Sequence, residues 1–126
     1  MIRFHDEKLY LVSQGSYMTG GRVAYGLATE SGELYLTITV NLPDSPLDPV
    51  TQSHVKSYSE NEGLVETLVK EGLCVIDDVL SVEHVKVHLV TWTSKLVSEL
   101  ASARLFFQRS LGAQVQRDLR SVTRDG

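Results

Sequence analysis

The sequence predicts an α+β fold: an antiparallel sheet of about five strands, one short capped helix and one long C-terminal helix. Three observations carry this. Leu34, Leu36, Ile38 and Val40 alternate with Tyr35, Thr37, Thr39 and Asn41, the period-two pattern of a half-buried strand. The run Ser59-Glu60-Asn61-Glu62-Gly63, followed by Leu64, Val65, Leu68 and Val69, changes to helical spacing. From Thr93 onward, apolar residues recur at helical intervals nearly to the end of the chain.

The elements follow in order. Lys8 to Val12 reads as an edge strand, and Gly15 to Gly21 as a connection. If Ser31-Gly32 is a two-residue turn, Leu27 faces Leu36, Tyr25 faces Ile38 and Val23 faces Val40, giving one apolar face. The other face pairs Ala28, Gly26 and Ala24 with Tyr35, Thr37 and Thr39, a small-residue surface open to close approach. Pro43, Pro46 and Pro49 then exclude helix and central strand, leaving an extended loop; Pro43 and Pro46 read as strand terminators rather than as a ligand motif. A short strand covers about Ser53 to Ser57. Ser59 is placed as N-cap, with Glu62 completing a capping box and helix beginning at Glu60. Gly72 and Leu73 read as a left-handed C-cap with its hydrophobic clasp. Val85, Val87 and Leu89 alternate with His84, Lys86 and His88 in a further strand.

The C-terminal helix starts from a cap at Thr91 or Thr93. Leu96, Val97, Leu100, Ala101, Ala103, Leu105, Phe106 and Phe107 give it a broad apolar surface, narrowing to Leu111, Val115, Leu119 and Val122. The narrow half is flanked by Arg109, Arg117, Arg120 and Arg124 and suits a docking stripe or a tail that frays. Gly112 sits between the halves, where a bend or a helix end is compatible with its low helix propensity. The organisation expected is an α+β core over residues 1–92 and an amphipathic helical extension over 93–126, packed on the core or projecting from it.

Charge divides along the same line. Residues 1–92 hold six Lys or Arg against thirteen Asp or Glu, and residues 93–126 hold six against three. An acidic body repels phosphates, so nucleic acid is disfavoured as its partner, whereas its carboxylates can stand in for phosphates before a protein that grips DNA or RNA. The lone Cys74 reads as a small buried hydrophobe. His84 and His88 flank Lys86 and lack the further ligands zinc needs, so no metal is expected. Asp77-Asp78 and Glu60 with Glu62 read as surface or capping carboxylates, not as acid/base pairs. No Gly-rich phosphate loop or nucleophile elbow is present, and no cofactor is expected. The charged start and the absence of a long apolar run predict a cytoplasmic protein with no membrane partner.

Several blocks also carry a resemblance. They are Gly21-Arg22-Val23-Ala24, Gly32-Glu33-Leu34-Tyr35, Thr39-Val40-Asn41-Leu42-Pro43-Asp44 with Pro46-Leu47, and Lys56 to Gly63. From about Gly21 to about Val90 the chain resembles a small family carried on bacterial plasmids, transposons and phages and known only as a domain of unknown function. The resemblance implies accessory cargo of a mobile element, a setting in which small proteins often counter host defence. The expected function is that of a non-enzymatic inhibitor or adaptor, binding a nucleic-acid-processing defence complex of the CRISPR or restriction kind. The alternative is a nucleic-acid-associated accessory of plasmid or transposon maintenance using the basic tail. The expected contact residues are Phe107, Leu111, Val115, Leu119, Arg109, Arg117 and Arg120, serving a protein partner or a homodimer through the C-terminal helix.

Overall fold

The computed structural model describes residues 1–125, the side chains of 118 and 120–125 excepted. Among these residues seven strands and two α-helices follow one another: β1 (Ile2–Phe4), β2 (Glu7–Ser16), β3 (Val23–Ala28), β4 (Leu34–Thr37), β5 (Gln52–Lys56), α1 (Leu64–Lys70), β6 (Cys74–Val82), β7 (Val85–Trp92) and α2 (Lys95–Asp125). The α+β class, the antiparallel pairing and both helices are as the sequence predicts. The strands form two sheets, β1-β2-β3-β4 and β5-β7-β6, in place of a single sheet of about five.

Two strands account for the difference. β1 is three residues long and joins β2 through His5 and Asp6, both at positive φ, the geometry of a tight primed turn. It places β2 inside the sheet instead of at its edge. β6 is hidden in sequence because its register shifts between Ile76 and Asp78, which breaks the alternation that marks a strand.

The β3–β4 hairpin keeps the expected pairs Leu27↔Leu36 and Gly26↔Thr37, but Ala28 faces Leu34, not Tyr35. The connection is longer than a two-residue turn. Thr29 N–H donates to Glu33 O and Gly32 N–H to Thr29 O, with Gly32 at φ 88°, and a bulge absorbs the difference. The expected strand Leu34–Val40 also divides. Ile38 N–H still donates to Tyr25 O at 2.8 Å, but Lys56 N–H donates to Ile38 O at 2.8 Å and Thr39 bridges Val55. The Thr39 hydroxyl accepts from Tyr25 N–H at 3.2 Å and shares a 2.9 Å hydrogen bond with the Tyr17 hydroxyl. The side chain thus takes over where the backbone ladder leaves β3, and the chain passes from one sheet to the other.

The start of α1 corrects the sequence reading. Ser59 lies at φ 59° and opens a single 3₁₀ turn to Asn61, no described side chain caps it, and α1 begins only at Leu64 behind Gly63 at φ 83°. Asn61 is the cause: it is buried, and its amide donates to Thr37 O at 2.7 Å, which ties the turn to the end of β4. The C-terminal end of α1 is as predicted. Leu73 N–H reaches Leu68 O and Gly72 N–H reaches Val69 O, with Gly72 at φ 76° and Leu73 buried. Leu64, Val65 and Leu68 enter the core, whereas Val69 remains exposed.

One contiguous core joins the sheets and helices, running from Ile2, Leu9 and Leu11 through Leu27, Leu36 and Ile38 to Val90 and Leu96. Trp92 closes it, its indole N–H donating to the Ser53 hydroxyl at 2.8 Å and its ring edge-on to Tyr25. The residues that lead into and open α2 serve α1 as well. The Thr93 hydroxyl donates to Gly72 O at 2.6 Å and Lys95 Nζ to Glu71 O, so carbonyls left free at the end of α1 are bound by the beginning of α2.

Candidate protein-binding groove

α2 runs unbroken through Gly112, as one helix of 31 residues. Its buried stripe is narrower than the sequence suggests. Leu96 and Ala103 are buried and Leu100 packs on the core, while Val97, Ala101 and Leu105 face outward. At the next turns the helix meets the first sheet through aromatic rings. Phe106 stacks on Tyr10, with centroids 4.3 Å apart and planes at 8°, and Phe107 meets Tyr10 edge-on at 5.6 Å. Tyr10 is absent from the expected contact set because it alternates with the core residues Leu9 and Leu11 along its strand, which gives no sequence sign of a partner.

Beyond Phe107 a groove of about 690 Å³ opens between α2 and the sheet. Val12, Ala28 and Leu34 line one wall, and Phe107, Leu111 and Gln114 the other. Glycine shapes it at two points. A Cβ on Gly26 would stand 2.7 Å from Gln14 Oε1 and 2.8 Å from Leu34 Cδ1, so those side chains lie down over bare backbone. Gly32 supplies the left-handed residue of the hairpin turn, at φ 88°, beneath the Phe107 ring, where a Cβ would make only ordinary contact at 3.8 Å. Two opposite charges sit in the lining: Glu30, and Arg117, whose guanidinium donates to Gln114 Oε1 at 2.7 Å. On the far side of Phe107 a second opening of about 370 Å³ is bounded by Leu11, Leu100, Arg104 and Gln108.

The groove therefore gathers Phe107, Leu111 and Arg117 from the expected contact set and adds Val12, Ala28 and Leu34 from the sheet. Val115 and Leu119 are exposed and line neither opening, and neither does the exposed Arg109. The Arg120 side chain lies outside the described residues.

The other candidate groups are accounted for by structure. His84 occupies the β6–β7 turn at φ 71°, not the face of a strand, and His88 is hydrogen-bonded to the Ser57 hydroxyl, so the two do not form a pair. Among the described residues no group of three or more His, Cys, Asp or Glu is placed to hold a metal. Cys74 is buried, and burial, with Asp77 nearby, pushes its thiol up to about 11. Asp77 accepts from the Thr91 hydroxyl and the Gln52 amide, and Asp78 from Val79 N–H, which fixes both at the bulge. The Lys56 ammonium, 2.7 Å from Glu60, leads the interactions that hold that carboxyl down at about 2. No helix among the described residues is long and apolar enough to cross a membrane.

Among the described residues His54 is the histidine of the interior. Neither ring nitrogen has a hydrogen-bond partner among the described residues, and burial, then the Arg22 guanidinium, lowers its pKa from 6.5. Arg22 cannot move away freely, because it donates to Leu42 O and Ser45 O of the proline loop. The unfolded chain binds a proton at this residue before the folded one does, so stability falls as pH drops below about 6.5 and levels off beneath the folded pKa. Urea melts at about pH 7.5 and about pH 5 are expected to show a larger acid loss for the parent than for His54→Gln. Equal losses in the two proteins would mean that His54 titrates normally.

Set against protein-family models, curated proteins and solved structures, the chain finds no match.

Proposed function

We propose that this protein is a non-enzymatic binding module that holds a segment of another protein in the groove between α2 and the first sheet. The groove itself carries the reading: apolar walls from two elements, open to solvent, with one carboxylate and one guanidinium among the described residues of its lining. Such walls supply apolar contact, and two opposite charges supply orientation. Glu30 and Arg117 stand among lining residues that include neither imidazole nor thiol, a composition suited to recognition rather than proton transfer.

The target class follows from the sequence. The resemblance to mobile-element cargo directs the protein at a host defence complex that processes nucleic acid, and the excess of carboxylates over residues 1–92 suits a surface built to receive DNA or RNA. The test is to titrate the protein into purified RNA-guided and restriction nucleases while following cleavage of their DNA substrates. Cleavage by one of them is expected to stop at stoichiometric protein, and Leu34→Glu, which puts a charge into the groove at an exposed position, should weaken the effect at least about tenfold. Direct binding of the protein to duplex DNA with a steep salt dependence would overturn this reading in favour of a nucleic-acid-associated role for the basic tail.

A further inference from the structure

A second surface of α2 lies largely outside the groove. Val97, Leu105, Leu111, Val115 and Leu119 are large apolar side chains left exposed, and Ala101 is exposed with them. At about 100° per residue these six fall within a sector of about 120°, turned by about a quarter circle from the stripe of Leu96, Leu100, Ala103 and Phe107 that faces the body. They form two ridges of spacing four, Val97-Ala101-Leu105 and Leu111-Val115-Leu119. The ridges mirror each other about Gln108: Leu105 and Leu111 lie three positions either side of it, Ala101 and Val115 seven, Val97 and Leu119 eleven.

We propose that α2 pairs with α2 of a second copy, antiparallel, across a two-fold axis at Gln108. In that arrangement each residue faces the one equally far on the other side of Gln108 in the second copy. Leu105 therefore meets Leu111 beside the axis, while Ala101 with Val115, and then Val97 with Leu119, stand progressively farther apart as the helices diverge. Two equal rows of spacing four always mirror each other about their midpoint, so the pattern permits an isologous contact, in which one patch complements itself. What favours a second copy as the occupant is charge, the basic segment 93–126 set against the acidic residues 1–92.

Three further features fit. Gln108 falls on the axis, where a carboxamide can donate to and accept from its own copy. Arg104 faces Gly112 of the second copy, and a Cβ at Gly112 would meet nothing within 4 Å, so the cation has room and finds no like charge. Antiparallel placement also brings the basic segment 93–126 of each copy toward the acidic body of the other, six Lys or Arg against three acids meeting thirteen acids against six. Ridges of spacing four pack at a steep crossing of about 50°, which concentrates contact near the axis and gives the inner pair, Leu105 with Leu111, most of the energy.

The pairing shares Leu111 with the groove, whereas Leu105 lines neither opening, so Leu105→Glu set against Leu34→Glu separates the two. Sedimentation of the full chain is expected to give twice the 14.0 kDa monomer mass. Leu105→Glu and Leu111→Glu, each at an exposed position and each checked by circular dichroism, should give monomers, while Leu34→Glu in the groove should stay dimeric. The double variant Leu105→Glu, Leu111→Lys places opposite charges across the axis and should recover the dimer, as no parallel or shifted pairing would. Gln108→Cys should cross-link to its own copy under mild oxidation, since Cys74 is buried and does not compete. A monomeric parent at about 100 μM, or a dimer indifferent to Leu105→Glu, overturns the proposal.

Discussion

A chain ended after Ser110 is expected to fold as the full protein does and to lose both target binding and self-association. Ala103 is the last deeply buried side chain described on α2, Phe106 and Phe107 are half-buried, and every position from Gln108 to Arg117 is exposed. The geometry explains the overhang. Thirty-one helical residues span about 46 Å at 1.5 Å each, whereas the ten residues of β2 cover only about 33 Å. The removed part takes away Leu111 and Arg117 from the groove and one ridge of the proposed pairing, but almost nothing from the core. Circular dichroism should keep its shape, a thermal melt should shift by no more than a few degrees, and light scattering should report a monomer. A shortened chain that fails to fold would place the last half of α2 within the cooperative unit.

Leu27→Ala should have the largest effect on stability, about 3 kcal/mol in a urea melt with the slope unchanged. Leu27 is fully buried, with Leu11 opposite it on β2 and Leu36 opposite it on β4, so the change opens a cavity at the centre of three paired strands. Domains of this size hold about 5–15 kcal/mol in all, and the loss is a large share of it. Val79→Ala truncates an apolar side chain at an exposed position outside the groove and the proposed pairing and should cost no more than about 0.5 kcal/mol. Similar losses from the two would contradict the assignment of which side of each element faces the core.

What could be read from the sequence was what local chemistry decides. The Gly72-Leu73 helix end and the Leu27↔Leu36 pairing rest on backbone preferences and alternation within a few residues, and both are present. What could not be read depended on distant partners. Ser59 and Glu62 look like a capping box until Asn61 is drawn to Thr37 O, and Val97, Ala101 and Leu105 look like core until the body reaches only one side of α2. The groove belongs to the second kind. Phe107, Leu111 and Arg117 are visible as an unusual stripe, but Val12, Ala28 and Leu34 join them only through the pairing of β2, β3 and β4, and no spacing along the chain announces that.

The burial of Cys74 makes the protein carry its own clock. Its thiol is the single one in the chain, lies against the core beside Trp92 across β6 and β7, and is held protonated well above neutral pH. A thiol reagent in solution can reach it only when that part of the sheet opens, and the open form has the ordinary reactivity of a free cysteine. The rate of labelling under native conditions therefore measures how often the domain opens. Comparing that rate with and without a bound partner gives the stabilisation the partner confers, with no label or tag introduced into the molecule beforehand.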